Sequence, residues 1–255
     1  MPIENTNALA AACESIDGTI RIRVIRGKNQ LDCFVNPVYD GAYARLGMWV
    51  RDSTAGIGTF SFYDMRTLRF GALGHAVTDI DIGDMLRIGK GEICLSEIIG
   101  VHAGTYGTPG ELRGSFGYNQ NGIGDIVSNT QFGIFGTIHT GMSNPLYPDG
   151  VMLAYPDEVK LGKATFLSTV DASTVQEFGC EIVKLYDQAD PDTKGMVVQI
   201  TDEALLERTG GIVQGMSGSP ILQNGKLVGI ITHVFVNDPA RGYGVFAYWM
   251  YQGMQ

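Results

Sequence analysis

The sequence predicts an all-β protein: two β-barrel halves with short helices, preceded by a separate helix–hairpin segment. Three observations predict it. Glycine is abundant, 35 of 255 residues, and Val, Ile, Thr and aromatic residues are spread between the glycines, which favours short strands and turns over long helices. Several segments alternate polar and apolar residues, the period of a half-buried strand. The length allows a full core in one large domain or two small ones. The boundaries expected are 1–38 for the helix–hairpin segment, 39–120 for the first barrel and 121–255 for the second, which carries the candidate nucleophile.

The elements follow in order. Asn7–Ile16 reads as a short helix with an N-cap at Asn5 or Thr6, ended by Asp17-Gly18. Thr19–Ile25 alternates, Arg26-Gly27-Lys28 turns, and Leu31–Val35 returns as a second strand. Leu46–Val50, Gly56–Tyr63 and Leu68–Leu73 are strand candidates, with Asp64-Met65-Arg66 as a turn. Met85–Ile88, Glu92–Gly100 and Glu111–Tyr118 continue the pattern. Asn119–Gly124 is rich in turn formers and marks the expected boundary between the halves. Gly133–His139, Glu158–Ser168, Thr174–Tyr186 and Met196–Thr201 supply further strands. Asp202–Arg208 reads as a short helix that Gly210-Gly211 terminates. Val228–Phe235 and Tyr243–Trp249 finish the chain.

Composition narrows the function classes. Hydrophobic residues make up 44% and charged residues 18%, as in folded soluble proteins. A net charge of −9 disfavours nucleic acid and anionic membrane surfaces as partners. No apolar run approaches the ~20 residues that span a bilayer. No basic stretch followed by a long apolar core opens the chain, so no signal peptide is visible. The chain is expected to be cytosolic, or a fragment whose targeting segment lies upstream. Cys13, Cys33, Cys94 and Cys180 include no CxxC pair, which argues against a zinc or thioredoxin-type site. Cys94, in the apolar run 93–95, is expected to be buried and inert. Neither metal nor cofactor is expected.

The segment Gly215-Met216-Ser217-Gly218-Ser219-Pro220 carries the chemistry. A serine becomes a nucleophile when a neighbour removes its proton and donors await the oxyanion. Glycines on both sides of the Met216-Ser217 pair let backbone N–H groups converge and keep Ser217 reachable. A small Gly-x-Ser pattern arises readily by chance in a glycine-rich chain, so the flanks decide. Strand Ile221–Gln223, the hairpin signal Asn224-Gly225 and strand Lys226–Thr232 follow. Chymotrypsin-like serine proteases present their nucleophile in this order. The related triplet Gly141-Met142-Ser143 is followed by Asn144-Pro145, not by a glycine turn. A base is also required, most often histidine. His75, in Gly71-Ala72-Leu73-Gly74-His75, ends an apolar strand among glycines, one half-chain before the serine. His233 closes the strand after the Ser217 hairpin. His102 and His139 lie near Gly/Thr turns and read as solvated or structural.

These blocks, with 51–60, 209–220, 232–239 and 242–244, resemble the SpoIVB peptidase family, serine endopeptidases of spore-forming bacteria related to chymotrypsin. The resemblance runs from about residue 40 to the C-terminus. It implies a chymotrypsin-like double β-barrel, with Ser217 as nucleophile, His75 as general base and Asp202 as the third catalytic residue. Asp202 reads equally as a helix N-cap, and Asp79, Asp81 and Asp125 are rivals because in chymotrypsin-like folds the acid lies between base and nucleophile, within the first barrel or at its exit. The backbone N–H groups of Gly215 and Ser217 would form the oxyanion hole. Thr232, His233 and Val234 would pair an extended substrate by β-addition. The family's proteins carry a membrane-anchored leader and a PDZ domain before the peptidase. The helix–hairpin of 1–38 resembles the C-terminal part of a PDZ domain, so the chain is expected to begin inside a longer parent. The resemblance further implies sporulation signalling, self-cleavage, and cutting of a membrane-bound regulatory protein, with the enzyme secreted or between the two membranes of a developing spore. Two other readings remain: a catalytically idle module that binds an extended peptide, and, less supported, an acyl hydrolase, for which the Gly-x-Ser-x-Gly arrangement is lacking.

Overall fold

The computed structural model describes residues 2–14, 18–41, 43–116, 122–172 and 174–255, without the side chains of Tyr43 and Phe116. The chain divides into two compact units, Met1–Gly56 and Ile57–Gln255. In the first, helix α1 (Thr6–Glu14) starts where Asn5 Oδ1 accepts the Ala8 N–H at 2.8 Å, which satisfies one orphan donor of the first turn. The expected helix end at 15–17 lies outside the described residues. Strands β1 (Ile20–Arg26) and β2 (Asn29–Val35) form an antiparallel hairpin in register from Ile20↔Val35 to Arg26↔Asn29. Strands β3 (Val38–Asp40) and β4 (Tyr43–Arg45) form a second hairpin. No strand forms at 46–50: Gly47 turns the chain at φ 67°, and Trp49 is fully exposed with no sheet to pack on.

The second unit opens with β5 (Phe60–Tyr63), β6 (Arg69–Ala72), β7 (Gly91–Ile93), β8 (Ser96–His102), β9 (Glu111–Phe116), β10 (Gly124–Thr130) and β11 (Gly133–Ile138). Five of these make an open sheet in the order β5-β6-β11-β10-β7, while β8 and β9 form a two-stranded sheet with isolated bridges from Ile98 to Ala172 and from Glu111 to Gln214. The single strand expected over Glu92–Gly100 is therefore split. Its halves join different sheets, and Cys94, at the break, is exposed rather than buried. Met85–Ile88 contributes only an isolated bridge, Thr78↔Met85. Strand β10 was not anticipated, because Asp125, Ser128 and Asn129 disfavour strands by propensity and a bulge at Ile126/Ser128 breaks its alternation. Residues 117–121 of the expected boundary region lie outside the described residues, but β10 and β11, beyond the boundary expected at 119–124, join the same sheet as β5, β6 and β7, so this first sheet runs on to Ile138.

The rest comprises β12 (Met152–Leu153), a 3-10 turn (Pro156–Glu158), β13 (Gly162–Ser168), β14 (Gln176–Leu185), β15 (Met196–Ile200), α2 (Glu203–Thr209), β16 (Pro220–Gln223), β17 (Lys226–Phe235), β18 (Asp238–Phe246) and α3 (Ala247–Gly253). The sheet order β17-β16-β13-β14-β15-β18 closes on itself because β18 also pairs with β17. The fold is thus all-β, with one closed six-stranded barrel, open sheets and short helices. Trp249, expected at the end of a strand, lies in α3. The barrel core holds Phe166, Ile182, Met196, Ile221 and Ile231, each with essentially no exposed surface. Burial of each such side chain is worth about 1.5–3 kcal/mol. Met216 belongs to the same cluster, so the turn bearing the candidate nucleophile is anchored in the core. The four cysteines are free, and burial pushes the Cys180 thiol up to about 12. Among the described residues no helix is long and apolar enough to cross a membrane.

Candidate active site

Ser217 sits in the turn between α2 and β16, half-buried, while its neighbours Met216 and Gly218 are buried. The turn is pinned from several sides. The Met216 N–H donates to Val213 O at 3.1 Å, Ser219 N–H to Met216 O at 3.0 Å, and Gly218 N–H to Ile231 O at 2.8 Å. Gly215 and Gly218 adopt φ of 98° and 102°, a region that L side chains rarely enter. A β-carbon at Gly218 would lie 2.1 Å from Thr59 O. Among the described residues the amides of Gly215 and Ser217 make no hydrogen bond, although the Met216 amide between them is tied inward. The amides of Gly215 and of the nucleophile itself are thus unengaged, as donors awaiting an oxyanion must be.

His75 follows the end of β6. Leu73 N–H donates to Thr59 O at 3.2 Å, and Thr59 N–H donates to Ser217 O at 3.0 Å. The base-bearing and serine-bearing segments are therefore laced together through Thr59. A β-carbon at Gly74 would meet Thr232 Cγ2 at 2.9 Å, so only glycine lets the segment after β6 approach β17 this closely. The His75 Nδ1 lies 2.8 Å from Ala76 O. A carbonyl can only accept, so in the neutral ring Nδ1 carries the proton and Nε2 the lone pair. The His75 and His233 rings stand with centroids 5.0 Å apart at 42°.

The bulge at Ile231/His233 in the β17–β18 ladder takes Thr232 out of regular pairing. Its carbonyl accepts the Ser217 hydroxyl at 2.6 Å, and its own hydroxyl donates to Tyr243 O at 3.2 Å. Ser217 therefore faces Thr232 in this conformation, and His75 faces His233. Desolvation by the protein atoms around its ring, then the neighbouring His75 and Lys194, lowers the His233 pKa and favours a neutral ring. On the side away from β18, no strand pairs Thr232, His233 or Val234 among the described residues, which leaves an edge open for β-addition.

Asp202 is the N-cap of α2: its Oδ1 accepts Leu205 N–H at 3.0 Å and its Oδ2 accepts Gly179 N–H at 3.5 Å. Gly210, at φ 71°, ends the helix. No hydrogen bond joins Asp202 to His75 among the described residues. Asp79 Oδ1 accepts the N–H groups of Asp81 at 2.8 Å and Ile82 at 3.3 Å, an Asx-type turn. Asp125 pairs instead with His139, Oδ2 to Nε2 at 2.9 Å, and that contact raises the His139 pKa.

Three positions escaped the sequence reading. Thr59 Oγ1 donates to Gly215 O at 2.7 Å, which completes its clamp on the nucleophile turn. Ala76 supplies the carbonyl that orients His75. Asn129 accepts Val77 N–H at 2.9 Å and donates to Val77 O at 2.7 Å and Leu86 O at 2.9 Å, which pins the segment after His75. Thr59 falls within the 51–60 block that resembles the family. The other two act through the backbone or across strands and leave no local signature.

Comparison with known proteins places these contacts in context. No curated protein matches the chain. The crystal structure of the active form of the Rv3671c protease from M. tuberculosis is similar, with 17% identity, 62% of this chain and 70% of that chain covered, and a TM-score of 0.37. The family model described as SpoIVB peptidase S55 matches residues 42–251, and the chain belongs to this family of serine endopeptidases.

Proposed function

We propose that Ser217 and His75 hydrolyse peptide bonds through an acyl-enzyme. The reading rests on one observation above all: strand ends more than 140 positions apart in sequence are laced through Thr59 and the Gly74–Thr232 contact into one neighbourhood. Catalysis begins when the Ser217 side chain turns from Thr232 O to His75 Nε2, a change of χ1 rotamer. His75 takes the proton as Oγ attacks the scissile carbonyl. The Gly215 and Ser217 amides receive the oxyanion, a service worth about 2.7–4 kcal/mol per donor. The carbon–nitrogen bond then breaks as His75 passes its proton to the leaving amine, and water releases the acyl group by the same path in reverse. Thr232, His233 and Val234 hold the substrate as an added strand. In this conformation the Ala76 carbonyl holds the ring tautomer, and Asp202 supports the turn from the cap of α2.

Family membership supports a finer reading. The enzyme acts in sporulation signalling, cleaves itself and a membrane-bound regulatory protein, and works outside the cytoplasm between the two membranes of a developing spore. The open five-stranded sheet with the β8–β9 hairpin represents the first barrel of a double-barrel peptidase. The α1–β1–β2 unit represents the C-terminal part of a PDZ domain. The Ser217–Thr232 hydrogen bond favours one second reading, a resting or idle form that binds extended peptide without cutting it. Ser217→Ala is the test: cleavage of the chain itself and of an unfolded protein such as casein disappears, while the circular dichroism spectrum is unchanged. Equal cleavage by the variant rejects the assignment.

A further inference from the structure

The proposed proton transfer makes no use of His233, yet its ring lies against that of the base. The separation of the two rings is compatible with a shared metal ion. Two imidazoles bound to one tetrahedral zinc through nitrogens at about 2.0–2.1 Å place their ring centres roughly 5.2 Å apart. The observed separation of His75 and His233 is 5.0 Å. Because Nδ1 of His75 donates to Ala76 O, the nitrogen left to coordinate is Nε2, the one that accepts the serine proton. The ring nitrogens of His233 make no hydrogen bond among the described residues, and the residue is exposed, so a cation reaches it from solvent. No third His, Cys, Asp or Glu joins the two rings among the described residues. Water completes the coordination sphere, which makes the site one of moderate affinity and not a structural centre.

We propose that His75 and His233 form an inhibitory site for zinc or a similar borderline transition-metal ion. The ion occupies the lone pair of the general base, so hydrolysis stops until the metal is removed. No bond within the protein is made or broken, and the ion only displaces its own bound waters. As an inhibitor this proposal rests on the peptidase reading, while the metal site itself does not.

Zinc chloride titrated calorimetrically into the Ser217→Ala chain tests the site without turnover. One zinc binds per chain; adding His233→Gln weakens binding about tenfold or more, while adding His139→Gln leaves it unchanged. In the wild-type chain zinc suppresses peptide hydrolysis and a chelator restores it. The His233→Gln enzyme, measured against its own metal-free rate, resists the same zinc concentration. Absence of binding, binding that survives His233→Gln, or binding lost with His139→Gln, which would move the site to the Asp125–His139 pair, each overturns the proposal. A chain that binds zinc through His233 but hydrolyses nothing would sink the peptidase reading and leave the metal site standing.

Discussion

Both carboxylate oxygens of Asp202 already have backbone partners, Leu205 N–H and Gly179 N–H, and this decides what substitution there does. Asparagine caps a helix about as well as aspartate, whereas alanine loses the cap at a cost of about 1 kcal/mol. Asp202→Asn therefore keeps the cap to Leu205 and most of its kcat, losing only the long Gly179 contact and melting slightly earlier, and Asp202→Ala melts earlier still with kcat largely intact. Steady-state kinetics with thermal melts reads both. A fall in kcat of about 10⁴ in Asp202→Asn would instead give this carboxylate the orienting role in catalysis. Single residues were legible where their chemistry is local. Ser217 and His75 are flanked by glycines that show in sequence. Asn5 capping α1, and Asp202 followed by a short helix with Gly210 beyond it, are also local signals. Thr59, Ala76 and Asn129 were not legible, because each acts on segments distant in sequence or through an atom that every residue possesses.

At the scale of elements, the nucleophile turn depends on how closely backbone meets backbone. Gly218 is the tightest point: a methyl group there would have to sit 2.1 Å from Thr59 O and 2.9 Å from Leu73 N, at a φ that costs an alanine about 1–3 kcal/mol of strain. Gly218→Ala therefore displaces the turn, lowers the melting temperature, and lowers kcat/KM at least about tenfold, since a loss of about 1.4 kcal/mol in transition-state stabilisation has that effect. Wild-type kcat/KM in a folded Gly218→Ala enzyme would show that the turn does not depend on this approach. The hairpin after it was readable because Asn224 and Gly225 take the positive φ values, 52° and 74°, that a tight hairpin needs. Strand β10 and the break at Cys94 were not readable. There the sheet partner, not the local pattern, decides where a strand begins and which sheet it joins.

Across the whole molecule, the all-β class and the order of most strands followed from glycine content and alternation. Closure did not. It depends on β18 pairing with both β15 and β17, a long-range choice that no window of sequence contains. The same long-range geometry brings the Leu73–His75 segment to the Ser217 turn, and the peptidase account stands on that meeting. Its most direct test is labelling of the full chain with a fluorophosphonate, followed by mapping of the modified peptide by mass spectrometry, in wild type and in His75→Gln. The account predicts a single adduct on Ser217 in the wild-type chain and loss of that adduct in His75→Gln, which remains folded. An adduct on another serine, or Ser217 labelled as fast without the imidazole at 75 as with it, would contradict it.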